Sequence, residues 1–134
     1  MTALAEMRVA MVPTVPAVDV ALWLGQYPFR GIPGAGVEEL ERRMGALNIE
    51  HGVVAPLEGV FWENGLEAYD RLADEISGTG RFDVWPVVRP GGMWGIEKLL
   101  DRYRPRGIRL VPNYHGYRLS EGAVGEIMEL ARGR

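Results

Sequence analysis

Short apolar runs alternate with amphipathic segments four times along the chain. The apolar runs occupy residues 18–24, 52–57, 83–88 and 107–112, and loops rich in glycine or proline follow them. Apolar side chains then recur three or four positions apart over residues 37–47, 65–76, 93–103 and 121–131. Apolar runs bounded by turn residues predict buried strands, and the longer spacing predicts helices with one apolar face. The pattern therefore predicts four βα units.

Strands that alternate with helices predict a parallel sheet covered by helices, which is the α/β class. In the last strand Ile108 and Leu110 share one face, while Arg109, Val111 and Asn113 share the other. A face with arginine at its centre and asparagine at its end suits the interior of a barrel better than a second helix layer. The pattern favours four βα units of parallel sheet resembling half of a (β/α)8 TIM barrel, and an open doubly wound sheet is the alternative.

Length and composition limit the classes of protein that this chain can represent. Its 134 residues, 47% of them hydrophobic, suffice for one folded domain, which we assign to residues 1–134 with an extended lead-in over residues 1–17. The net charge of −3 and the lack of a basic block argue against nucleic acid and membrane surfaces as partners. Pro13 and Pro16 interrupt the apolar start of the chain, which therefore matches neither a membrane span nor a signal peptide. We expect a cytoplasmic protein.

Several segments together resemble the amidohydrolase-related proteins, a superfamily of metal-dependent hydrolases built on (β/α)8 barrels. The resemblance begins with VDVALWLG at residues 18–25 and YPFR at residues 27–30. It continues with NGL at 64–66, VVRP at 87–90, GIRLVP at 107–112 and YHGY at 114–117. These segments span nearly the whole chain and correspond to the N-terminal half of the family's barrel. The resemblance implies hydrolase or decarboxylase activity. The side chains at the strand ends, described below, suit a small carboxylated or aromatic substrate that the protein hydrolyses or binds.

The metal motif of that family is absent from this chain. Metal-binding members carry His-x-His in the first strand, and those positions align with Ala21 and Trp23, which cannot bind a metal ion. The family's later ligands lie on strands beyond the four predicted here. The chain also contains no cysteine, which excludes disulfides and thiolate ligands. We therefore expect no metal site and no cofactor.

The candidate site residues follow the predicted strands, because active sites of (β/α)8 barrels lie at the carboxyl ends of the strands. His115 and Glu58 are the candidate catalytic residues, since imidazole and a buried carboxyl can transfer protons near neutral pH. The alternatives are a histidine that only supports its turn and a loop carboxylate that is either solvated or paired with arginine. The candidate substrate-binding residues are Trp23, Arg30, Asn64, Arg89, Asn113 and Tyr117.

Arginine and aromatic side chains at these positions indicate the ligand's chemistry. Guanidinium groups bind carboxylates through two parallel hydrogen bonds, and aromatic rings form apolar walls. Arg30 and Arg89 are the candidate anion-binding residues, although arginine also commonly braces loop carbonyls. Arg109, at the centre of its strand, is expected to bond a buried carboxylate such as Asp19 or a neighbouring strand's carbonyl, because an unpaired buried guanidinium is costly.

Four βα units leave two sheet edges and one face without a covering layer. The sequence therefore predicts association, either as a homo-oligomer or with a separately encoded C-terminal half-barrel. Any catalysis would then belong to the assembled barrel. The alternative is a non-catalytic binding or scaffolding subunit of a larger complex that uses the sheet face as an interface.

Overall fold

A computed structural model of the chain describes residues 12–62, 65–91, 95–120 and 122–134. The strands are β1 (Ala17–Leu24), β2 (Ile49–Pro56), β3 (Phe82–Val84), β4 (Val87–Val88) and β5 (Arg109–Leu110). The α-helices are α1 (Val37–Ala46), α2 (Gly65–Ile76), α3 (Ile96–Tyr103), α4 (Pro112–His115) and α5 (Gly122–Ala131), and a 3-10 helix spans Leu57–Val60. Within these ranges no helix is long and apolar enough to cross a bilayer.

All strand pairs in the described sheets are parallel, and neighbouring strands follow chain order. β1, β2 and β3 form one sheet, and β4 and β5 form a second. The predicted α/β class is confirmed. The lead-in before residue 12, the candidate substrate-binding residue Asn64 and the first two positions of the predicted third helix lie outside the described residues.

The predicted third strand is divided in two at Trp85 and Pro86. The Trp85 amide donates to the Val54 carbonyl, 2.9 Å away, and so continues the pairing of β3 with β2. Pro86 has no N–H to donate. Its carbonyl instead accepts from the Arg109 amide at 2.8 Å, and the chain then pairs with β5. One run of apolar residues therefore links the two sheets.

The predicted fourth strand, residues 107–112, is shorter than its apolar pattern suggests. Only Arg109–Leu110 pair with β4, and the helical turn α4 begins at Pro112. Proline is favoured at the first position of a helix because its fixed φ fits there and its missing N–H would be unpaired anyway. Gly116, with a φ of +70°, ends the turn in the left-handed region, which glycine adopts without steric cost.

Helices α1, α2, α3 and α5 pack on the same face of the sheets. Leu24 and Val54 contact Leu72 and Ile76 of α2, with the apolar side of α1 packed against them. Val84 belongs to this cluster and also to the one formed by α2, α3 and α5. Burying a Leu or Ile side chain in such a core contributes about 1.5–3 kcal/mol. The apolar faces of these helices are therefore buried against the sheets and, for α2, α3 and α5, also against one another.

The opposite face of the sheets, which we call the inner face, carries Trp23, Ala55 and Val87. Near the carboxyl ends of the strands this face is covered by the chain itself. Ala55 and Val87 are buried with Val60 of the 3-10 helix, and Val111 packs against them. Farther along β1, Ala21 is exposed and Trp23 retains 37% of its surface. The inner face is thus closed at one end and open along β1.

A β-bulge interrupts β1. The alignment with β2 skips between Asp19 and Leu22, so that residues 20 and 21 stand opposite Val53 alone. The Asp19 carboxylate accepts a hydrogen bond from the Ala21 amide at 2.8 Å, which satisfies one of the backbone groups displaced by the bulge. The alternation of inward and outward side chains along β1 therefore changes at this point.

Candidate functional site

Three segments meet at the carboxyl ends of the strands: the loop after β1, the 3-10 helix after β2 and the turn α4 after β5. Four of their rings form an edge-to-face cluster, which we call the aromatic rim, consisting of Tyr27, Phe29, Phe61 and Tyr114. Phe61 lies 5.2 Å from Tyr27, 5.7 Å from Phe29 and 4.9 Å from Tyr114 between ring centroids. Each such pair contributes about 0.5–1.5 kcal/mol beyond its buried area. The rim therefore joins segments that are far apart in sequence.

The aromatic rim is open to solvent on one side. Phe29 is 72% exposed and Tyr114 is 55% exposed. Exposed rings held by ring contacts form an apolar wall against which a planar ligand can stack.

His115 lies beside the rim with one imidazole nitrogen engaged. Its Nε2 is 2.8 Å from the carbonyl oxygen of Val60. A carbonyl oxygen only accepts hydrogen bonds, so Nε2 carries the proton in this contact, and in the neutral ring Nδ1 bears the lone pair. Nδ1 is buried and has no hydrogen-bond partner among the described residues. His115 is thus oriented with its basic nitrogen unused.

Tyr117 lies alongside the imidazole. Its ring is stacked near that of His115, with a centroid distance of 6.4 Å and an interplanar angle of 19°. Burial raises the pKa of the Tyr117 phenol, and the backbone of Val111 offsets part of that rise. Tyr117 therefore stays protonated through the neutral range. The structure brings two of the candidate residues, His115 and Tyr117, into contact.

Glu58 is the only charged side chain among the buried residues of the described chain, with 3% of its surface exposed. Its Oε1 accepts from the Gln26 amide at 2.9 Å and lies 2.6 Å from the Arg71 guanidinium. Arg71 in turn covers the Trp62 ring at 5.2 Å. The carboxylate therefore ties the loop after β1 to α2, which is the arginine-paired alternative considered for this residue.

Gly25 allows this arrangement. It has a φ of +103°, and a Cβ atom at this position would lie 2.2 Å from Oε2 of Glu58. Any larger residue would have to displace the carboxylate and also adopt a strained backbone conformation. The position of the Glu58 side chain therefore requires glycine at residue 25.

Arg109 occupies the inner face below the rim. Its guanidinium donates to the carbonyls of Val20 at 2.6 Å and Leu22 at 3.0 Å, with a longer contact of 3.4 Å to Val53. It also lies 4.9 Å from the centroid of the Trp23 ring. Burial lowers the pKa of Arg109, and Asp19 partly offsets that effect. Strand carbonyls rather than the Asp19 carboxylate hold this arginine, and they belong to β1 and β2, which do not pair with β5.

The described structure does not bring the other candidate residues into the contacts above. Arg30 and Asn113 are exposed. Arg89 is half-buried and is engaged in an interaction. Phe61, which connects the rim, was not identified from the sequence, because a lone aromatic residue after a strand resembles ordinary core packing. In the described residues no group of three His, Asp or Glu side chains is placed to hold a metal ion.

No family model, no curated protein and no solved structure matches this chain.

Proposed function

We propose that this chain is the N-terminal half of an amidohydrolase-like barrel in the cytoplasm, and that its rim binds a small aromatic carboxylate with His115 as the proton acceptor. The observation that carries the proposal is the state of His115. Its Nε2–H is held by the Val60 carbonyl, and its basic Nδ1 is left without a described partner. This is how a general base is oriented, because the bond at one nitrogen sets the tautomer and leaves the other free to accept a proton.

The curvature of the sheets supports a half-barrel. Helices α1, α2, α3 and α5 lie on one face, whereas a doubly wound sheet carries helices on both. In a flat sheet β5 would be three strand spacings, about 14 Å, from β1, which exceeds the reach of an arginine side chain. Arg109 nevertheless bonds two carbonyls of β1. The reach of Arg109 to β1 therefore supports strands that curl toward one another, as they would in a half-barrel.

The chemistry near the rim favours an aromatic anion as the ligand. The rings of Tyr27, Phe61 and Tyr114 provide apolar surface, and the Arg109 guanidinium is bonded to carbonyls rather than to a carboxylate in the described contacts. Its positive charge is thus available to attract a carboxylate at long range. Nδ1 of His115 is buried in the ligand-free chain, so ligand binding would have to expose it. In hydrolysis it would then take a proton from water as the water oxygen attacks an acyl carbon, and would return that proton to the leaving group.

The test is a ligand titration with a matched pair of variants. His115→Gln keeps an amide donor for the Val60 carbonyl and removes the imidazole base at Nδ1. His51→Gln is the control, because it makes the same change in a histidine within β2 that lies 3.5 Å from the Asp83 carboxylate. Imidazole nitrogen NMR signals are followed while benzoate or benzamide is added. We expect benzoate to perturb His115, to leave His51 unchanged and to bind more tightly than benzamide. Undiminished benzoate binding by His115→Gln would refute the assignment.

A non-catalytic binding subunit is the second candidate, and the contacts of Glu58 favour it. That carboxylate accepts from the Gln26 amide and is paired with Arg71, so in the described contacts it is engaged in holding the fold. An ester such as 4-nitrophenyl acetate distinguishes the two functions. Turnover that is lost in His115→Gln supports catalysis, while benzoate binding without turnover supports a binding subunit.

A further inference from the structure

The strands β1 and β5 each form an edge of the described sheets. β1 pairs only with β2, and β5 pairs only with β4, within the described sheets. Both strands run in the same direction as their neighbours, so the sheet can be extended at either end by another parallel strand. An exposed edge of this kind is a template for pairing with a second chain.

Exposed apolar side chains lie at both edges. On β1, Val18 and Val20 are 60% and 61% exposed, and Leu47 at the end of α1 is 47% exposed. At the other edge, Met128 of α5 is 52% exposed. It borders an open cavity of about 560 Å³ that is also lined by Leu110 and other apolar residues of α3, α5 and β5. Each edge therefore offers apolar surface to a partner.

The two halves of the chain carry opposite charge. Residues 1–76 contain twelve acidic and five basic side chains, a net charge of −7, whereas residues 77–134 contain six acidic and ten basic side chains, a net charge of +4. The cavity at the β5 edge is bordered by Arg106, Arg132 and Arg134, which lie 3.8, 3.1 and 2.6 Å from the carboxylates of Asp83, Glu129 and Asp101. Contact between the same half of two copies would bring net charges of like sign together, while contact between opposite halves is favourable. The charge distribution therefore selects a partner that presents the β1 half.

From these observations we infer that the partner is a second copy of this chain, with the β1 edge of each copy against the β5 edge of the other. The inference rests on the proposed half-barrel. A two-fold axis produces two identical seams and leaves no free edge. With β3 and β4 counted as one strand position, the four positions of each copy then close into one eight-stranded barrel. The open part of the inner face, including Trp23, is then enclosed, and the aromatic rims of both copies surround one mouth. The ligand site is incomplete in a single copy.

Sedimentation equilibrium tests the stoichiometry and the role of charge. We expect a dimer whose association weakens about tenfold between 0.1 M and 1 M NaCl, because the screening length falls from about 10 Å to about 3 Å. A chain that stays monomeric at high micromolar concentration refutes the inference, and so does open-ended polymerisation. Association that is insensitive to salt refutes the electrostatic choice of edges.

Single cysteines identify which edges meet, since the chain contains none of its own. Val20→Cys marks the β1 edge and Met128→Cys marks the α5 side of the other edge. Ser77→Cys, exposed just after α2, is the control between them. With a short bismaleimide, we expect crosslinks in a mixture of the first two variants and few in either variant alone. Crosslinking of Val20→Cys to itself, or equal crosslinking with Ser77→Cys, overturns the edge assignment.

These outcomes are separable from those of the ligand titration. A monomeric chain that still binds benzoate through His115 would refute the dimer and leave the proposed site standing. A salt-sensitive dimer with β1-to-β5 crosslinks and no benzoate binding would support the dimer and refute the site. Both measurements use the full chain, and the three cysteine variants replace exposed side chains.

Discussion

Replacing Arg109 with methionine removes the only described side-chain bridge from β5 to the bulge in β1. The bonds lost are those to Val20 at 2.6 Å and Leu22 at 3.0 Å, together with the longer one to Val53. Methionine preserves the aliphatic packing of the arginine stem and cannot donate a hydrogen bond. The variant therefore isolates the contribution of the guanidinium.

The expected loss of stability follows from these contacts. Hydrogen bonds that involve a charged group contribute about 1.5–3 kcal/mol each, and the half-exposed position of Arg109 favours the lower value. The two short bonds then contribute about 3 kcal/mol, and the contact with the Trp23 ring adds about 0.5 kcal/mol. Arg109→Lys should lose about half of this, because an ammonium group cannot span both carbonyls as the planar guanidinium does.

Urea denaturation followed by circular dichroism measures this difference. Arg106→Met is the matched control, because the Arg106 side chain is 83% exposed and lies 3.8 Å from the Asp83 carboxylate. Such a surface pair contributes at most about 1 kcal/mol. We expect the unfolding free energy to order as wild type, Arg106→Met, Arg109→Lys and Arg109→Met, from highest to lowest. An Arg109→Met protein as stable as Arg106→Met would refute the bridging role and the curled sheet inferred from it.

Two further predictions concern groups outside the inner face. Gly25→Ala should lower the unfolding free energy by about 2–4 kcal/mol, because it combines a positive φ with a clash against Glu58. Gly31→Ala is the control: no atom lies within 4 Å of its new Cβ, so the change should be less than about 1 kcal/mol. Equal effects of the two variants in urea denaturation would contradict the clash. Burial raises the pKa of Tyr69 to about 12, so the unfolded chain loses its phenolic proton first and stability falls as pH rises from about 10 to 12. Tyr69→Phe should abolish that part of the pH dependence, and an unchanged profile would contradict it.

The periodicity of the sequence determined the helices and the class of the fold. The predicted helix over residues 65–76 matches α2, and that over residues 37–47 ends one residue beyond α1. Such segments are predictable because each helix buries one face, so its apolar residues recur at helical spacing within one continuous stretch of chain. The parallel strands followed from the same alternation of apolar runs and helices.

Tertiary contacts determined where the strands are interrupted. Residues 83–88 read as one strand, yet the chain changes partner at Pro86 because the missing N–H and the available Arg109 amide favour pairing with β5. The bulge in β1 has no local signal either, since Val20 and Ala21 continue the apolar run. The Val20 carbonyl at the bulge accepts its hydrogen bond from Arg109, which lies about ninety residues later in the chain.

The candidate site shows the same division. The sequence placed His115 and Glu58 after strands, because those strands could be located from their apolar pattern. Only the tertiary structure determined that Glu58 bonds Arg71 and Gln26, and that Val60 binds one nitrogen of His115 and so orients the other. Pattern reflects which residues are buried, whereas a residue's chemistry depends on the particular donors and acceptors that folding brings to it from distant parts of the chain.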